Sequence, residues 1–113
     1  MLPVENRLKK KKDFENVFKN GYGCKQNFLY LKIVKNNLEP SRFGFVIGLK
    51  FSKSAVKRNK IKRWLRELVR INIQDIEKGL DCVVVVLPGF KAKDFQEAES
   101  LIGELFNKAG IIK

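Results

Sequence analysis

The chain has 113 residues and is 44% hydrophobic, enough for one modest core, so 1–113 reads as a single domain. Its 24 lysines and arginines outnumber 12 aspartates and glutamates, for a formal net charge of +12; such a surface repels itself until anions neutralise it, which calls for a polyanionic partner. There is no histidine, which removes the usual general base near neutral pH and the commonest zinc ligand, and argues against hydrolysis by protein side chains.

From Arg7 to Lys12 only Leu8 interrupts a run of basic residues, which reads as an exposed arm or turn. Asp13 is then an N-cap candidate ahead of Phe14, Val17 and Phe18 at helical spacing, and Gly21 suits the stop, so a short helix is predicted over 13–20. Phe28 to Val34 and Arg42 to Leu49 are β-prone and Asn36-Asn37 between them signals a turn; two or three consecutive antiparallel strands are expected, with Gly44 and Gly48 marking a bulge or a close backbone approach. Ala55 to Asn72 carries a helical apolar stripe. Cys82 to Leu87 is wholly apolar and ends at Pro88-Gly89, as a strand buried on both faces would. A last helix opens with Asp94 and Glu97 in a capping-box-like pairing, repeats Phe95, Ala98, Leu101, Ile102, Leu105 and Phe106, and closes at Gly110. The order helix, strands, helix, strand, helix gives an α+β layered domain.

Most of the information lies in the basic helix. With Ile61 at the origin of a helical wheel, Trp64, Leu65, Leu68, Val69, Ile71 and Asn72 fall within about 80° of it and should pack on the sheet. Lys62, Arg66, Asn59, Arg70 and Arg63 form a continuous arc opposite, a natural match for phosphates. Arg58-Lys62, Lys62-Arg66 and Arg66-Arg70 are like-charge i,i+4 pairs, each costing roughly 0.2–0.5 kcal/mol in an isolated helix. Lys53, Lys57 and Arg58 crowd the positive end of the helix dipole, a conflict that an RNA phosphate near Ser52 to Arg58 would resolve. Arginines suit bidentate phosphate contacts, and Asn59 can donate and accept at a base edge or sugar hydroxyl.

Other chemistries find little support. No apolar run approaches the ~18 residues of a membrane span and the N-terminus lacks a signal-peptide core, so a cytoplasmic protein with no membrane partner is expected. Cys24 and Cys82 stand far apart in unlike contexts, which reads as two reduced thiols, Cys82 in the core. No Asp-x-Asp pair occurs, and Glu97 with Glu99 reads as a solvated helix face, so no protein-bound metal, no cofactor and no small-molecule substrate are expected.

The segment Ser54-Ala55-Val56-Lys57-Arg58-Asn59-Lys60-Ile61-Lys62-Arg63-Trp64-Leu65-Arg66-Glu67 closely resembles the signature of the bacterial ribonuclease P protein family, known for its Arg-Asn-Arg motif. Lys60 departs from it, keeping charge where the third motif residue is usually arginine but losing the planar fork. Arg7-Leu8, Asp13-Phe14, Val17-Phe18, Arg42-Phe43-Gly44 and Asp81 to Leu87 extend the resemblance over nearly the whole chain. It implies a two-layer α/β sandwich of order α-β-β-β-α-β-α, a ribosomal-protein-like domain with a left-handed βαβ crossover. It also implies a surface for the catalytic RNA at Lys53, Arg58, Asn59, Lys60, Lys62, Arg63, Arg66 and Arg70. A cleft holding the single-stranded 5′ leader of precursor tRNA is implied at Phe14 and Phe18, with a further aromatic near Phe28 and Tyr30, expected to be Tyr30. The protein would then be the subunit that helps ribonuclease P RNA remove tRNA leaders, with Mg2+ held by the RNA and no catalytic residue of its own. Rival readings are a ribosomal or general RNA-chaperone protein and a DNA-binding regulator, although no second short helix with a tight turn precedes Ala55.

Overall fold

Alternation along Leu29–Lys35 sets the architecture: Leu29, Leu31 and Ile33 are fully buried, while Tyr30, Lys32 and Val34 point to the other face and are half-buried. The computed structural model describes residues 2–113. In chain order the elements are α1 (Lys11–Asn20), β1 (Tyr22–Gln26), β2 (Leu29–Lys35), β3 (Arg42–Ile47), α2 (Ala55–Asn72), β4 (Leu80–Val86) and α3 (Phe95–Ala109). This is the expected α+β order, and α2 has the predicted bounds.

The four strands form one sheet in the order β1-β2-β4-β3, with β2 antiparallel to both neighbours and β3 parallel to β4. The apolar β4 takes the interior because only there are both its faces covered. That placement corrects the expectation of a hairpin at Asn36-Asn37: β4 lies between β2 and β3. The hairpin instead joins β1 to β2 through Asn27 and Phe28, both left-handed at φ of 53° and 62°, the backbone that a two-residue turn between twisted strands needs. Phe28 therefore leaves the strand in which the sequence placed it.

The predicted start of the first helix is also corrected. Lys10 is the N-cap, without a side-chain cap, and Asp13 lies inside the first turn, bonded to Arg42 instead. Gly21 follows the helix in extended backbone, and only glycine fits there: a Cβ would lie 2.5 Å from the Val17 carbonyl oxygen and 2.7 Å from that of Ile33.

One face of the sheet carries the main core, where Leu31, Ile33, Phe43, Phe45, Cys82 and Val84 meet Ile61, Leu65 and Leu68 of α2 and Ile102, Leu105 and Phe106 of α3. Sheet and α2/α3 pair are the two principal layers. On the opposite face α1 covers a smaller cluster of Leu8, Val17 and Val83, with Phe14, Val34 and Val85 packed around it. The residues before α1 run beside β3, where the Leu8 amide donates to the Phe43 carbonyl at 2.9 Å. Burial pushes the Cys82 thiol well above its ordinary range, so it is a neutral core residue, as expected.

Candidate nucleic-acid interface

Helix α2 starts where Ser54 Oγ accepts a hydrogen bond from the Lys57 amide at 3.3 Å, and it is held down by Ile61, Leu65, Leu68 and Val69. With that stripe buried, the 3.6-residue period turns Asn59, Lys60, Arg63, Arg66 and Arg70 out to solvent. Arg58 and Lys62 are half-buried on its flanks, and Lys53 is exposed in the preceding loop. Arg58 Nη1 donates to the Ser52 carbonyl at 2.7 Å and fastens that loop to the helix. Ile71, at the margin of the expected apolar arc, is a correction: it is 47% exposed.

Among the described residues Arg70 is the one cation of this set paired with an acid, through Nε to Glu67 Oε1 at 2.7 Å. Hydrogen bonding to Arg70 holds the exposed Glu67 carboxyl below the usual carboxylate range. Among the described residues none of the remaining cations is paired with an acid, and the like-charge spacing of the sequence persists in the fold.

On the α1 side of the sheet, Phe14 lies directly over Gly44, where a Cβ would come within 2.4 Å of the Phe14 Cζ. Beside it opens a cavity of about 170 Å3 bounded by Leu8, Lys9, Phe14 and Gly44 and, across the β3 edge, by Lys62 and Arg66 of α2. The fold thus joins Phe14 to two of the predicted RNA-contacting cations. Phe18, one turn further along α1, is 42% exposed, outside this cavity.

Register settles which strand aromatic shares the face. Tyr30 pairs with Val85 and Lys32 with Val83, on the side that α1 covers, and a Cβ on Gly23 would meet the Tyr30 hydroxyl at 2.2 Å. Phe28 sits in the hairpin turn, its ring against Gly89. Sequence reasoning did not assign Arg7, Lys9 or Lys32 to this region. Arg7 and Lys9 line the cavity, and Lys32 Nζ donates to the Gly21 carbonyl at 3.1 Å at the end of α1. The Arg7 to Lys12 run and the alternation of Tyr30 and Lys32 were the available signals.

An ion pair between half-buried Arg42 and buried Asp81 fixes this half of the molecule. Arg42 reaches the two oxygens of Asp81 at 2.8 and 2.6 Å, and Asn36 Nδ2 donates to the same carboxylate at 2.9 Å. Hydrogen bonding to Asp81 raises the Arg42 pKa, helped by the charge of Asp13 at 3.4 Å. The group ties β3 to β4 and both to α1.

The family model described as Ribonuclease P matches residues 2–110. The chain belongs to the ribonuclease P protein family. It is 35% identical over 108 residues to the ribonuclease P protein component of Clostridium botulinum (strain 657 / Type Ba4), covering 95% of this chain and 96% of that one. The protein component of Alkaliphilus metalliredigens is 36% identical over 111 residues, with 98% and 99% covered. Among solved structures, the RNase P protein from Thermotoga maritima is 35% identical with a TM-score of 0.79, over 88% of this chain and 93% of its own length. Family membership makes the chain a protein subunit of ribonuclease P, the ribonucleoprotein endoribonuclease of tRNA 5′ maturation, with ribonuclease P RNA as its partner.

Proposed function

We propose that the outward arc of α2 lies against ribonuclease P RNA while the α1 side of the sheet holds the 5′ leader of precursor tRNA. The observation that carries this reading is the continuity of the two surfaces: Lys62 and Arg66 belong both to the cationic helix and to the cavity that Phe14 walls. Arg58, Asn59, Lys60, Lys62, Arg63, Arg66 and Arg70, with Lys53 in the loop before them, supply the contacts to the RNA subunit. Phe14, Phe18 and Tyr30 offer rings on which leader bases stack, a grip that tolerates any sequence because every base has a π-face.

Hydrolysis would be the work of magnesium ions held by the RNA. Among the described residues no three acidic or thiol side chains gather at metal-binding distance. The protein's part is to bind the leader and to screen phosphate repulsion, in the cytoplasm, across its single RNA-binding domain. No helix among the described residues is long and apolar enough to cross a membrane.

Mixing the purified chain with a bacterial ribonuclease P RNA at low magnesium is the direct test. Restored cleavage of leader-bearing tRNA supports the reading; annealing of unrelated RNAs without cleavage would instead mark a general RNA chaperone.

A further inference from the structure

The other flank of α2 borders a second cavity, which shares Lys60 alone with the cations assigned above to the RNA subunit. It opens beyond the C-terminal ends of the parallel strands β3 and β4, where the chain leaves through Phe51 and Phe90, and has a volume of about 530 Å3. Phe51, Ile61, Trp64, Phe90 and Ala92 line it, with the Phe51 and Phe90 rings 6.4 Å apart and Trp64 braced edge-on by Phe95, also at 6.4 Å. Four lysines stand around the rim, Lys57, Lys60, Lys91 and Lys93, and among the described residues none of them is paired with an acid. The single acid of the lining is Glu97.

We propose that this cavity receives one unstacked base of a single-stranded RNA segment, with the flanking phosphates on the four lysines. An aromatic floor inside a ring of ammonium groups matches the two halves of a nucleotide, a flat π-system and an anion, and aromatic stacking with backbone charge contacts is the general mode of single-strand recognition. An acidic peptide would satisfy the lysines and leave the rings unused. Lys60 Nζ now lies 5.0 Å from the Trp64 ring centroid; an entering base takes that ring face and releases the ammonium to a phosphate. Glu97 supplies an acceptor for an exocyclic amino group. The inference rests on the RNA-binding reading of α2 and adds a third contact surface on the side away from Lys62 and Arg66.

Trp64 is the chain's one tryptophan, so its emission reports on this cavity alone. The full chain is titrated with pentaadenylate carrying a 3′ dye, following Trp64 emission and dye anisotropy together. Saturable quenching that tracks anisotropy is expected, and Lys91→Glu with Lys93→Glu, both at exposed loop positions, should weaken it roughly tenfold or more. The idea is overturned if the oligonucleotide does not bind, if it binds with Trp64 emission unmoved, or if quenching survives the double reversal. Equal quenching by polyglutamate also overturns it, in favour of an acidic-peptide site. A chain with Arg58, Arg63 and Arg66 changed to alanine separates the two readings: it should lose affinity for ribonuclease P RNA while keeping the pentaadenylate quench.

Discussion

Gly44→Ala tests the α1-side cleft without removing any of its aromatic rings. The added methyl would stand 2.4 and 2.5 Å from Cζ and Cε1 of Phe14, against the 3.5–4.0 Å of an ordinary carbon contact, so the ring must retreat by about 1 Å. Forcing that shift should cost about 1–3 kcal/mol of stability, offset in part by the gain of replacing a strand glycine with alanine. If Phe14 carries one stacked leader base, its displacement forfeits up to about 1–3 kcal/mol of leader affinity, roughly 5- to 150-fold. The assay is the ratio of affinities for leader-bearing and mature tRNA, measured with the reconstituted ribonucleoprotein. Phe14→Ala should lower that ratio by a similar factor, and Gly44→Ala placed on Phe14→Ala should lower it little further, because the two changes act on one contact. A folded Gly44→Ala protein with its leader preference intact, or losses that simply add, would refute the assignment of Phe14.

Three further outcomes follow from the geometry. Arg42→Ala strands the buried Asp81 carboxylate and should destabilise the fold by about 3–5 kcal/mol in urea unfolding, whereas an exposed ion pair would cost under about 1 kcal/mol. Joint replacement of Arg58, Arg63 and Arg66 by alanine should weaken binding to ribonuclease P RNA and flatten the dependence of log affinity on log salt by roughly 0.7–0.9 per lost phosphate contact; an unchanged slope would contradict the placement of α2 on RNA. Because burial raises the pKa of Cys82, its thiolate is suppressed at pH 8, and mass spectrometry after brief alkylation of the folded protein should find adducts at Cys24 alone; modification of Cys82 before unfolding would show that the sheet opens.

How far the sequence reached depended on whether a signal was local. The α2 helix was legible from its apolar stripe alone, and the structure adds the Ser54 cap that the stripe did not reveal. The apolar run from Cys82 in β4 and the capped α3 were equally plain. Strand β1 was not, since Tyr22–Gln26 is an edge strand with no buried residue and hence no alternating pattern. The β1–β2 turn was hidden for another reason: Asn27-Phe28 lacks the Asn-Gly spelling, and a phenylalanine with positive φ is rare enough that Phe28 read as strand. The predicted site residues were separated rather than scattered. The cations of α2 came from one helical period, while the meeting of Phe14 with Lys62 and Arg66, and that of Arg42 with Asp81, 39 residues away, depends on sheet order, which no local pattern encodes.

The apolar stripe and the cationic arc of α2 do different work, and Arg66→Ala separates them. Arg66 takes part in two of the three like-charge i,i+4 pairs, with Lys62 and with Arg70, and among the described residues no acid pairs with it. Burial of Ile61, Leu65, Leu68 and Val69, at about 1.5–3 kcal/mol each, exceeds roughly 1 kcal/mol of repulsion along the arc several-fold, so the helix forms in spite of its charge. Alanine at position 66 relieves two repulsions of roughly 0.2–0.5 kcal/mol each and is the better helix former, so stability should hold or rise by up to about 1 kcal/mol while affinity for RNA falls. Thermal unfolding of the free chain and RNA titration on the same preparation read the two quantities. A variant that unfolds earlier by several degrees would mean that Arg66 serves the fold, against Leu2 and Arg7, whose cavity it shares, and that the arc is not kept for RNA.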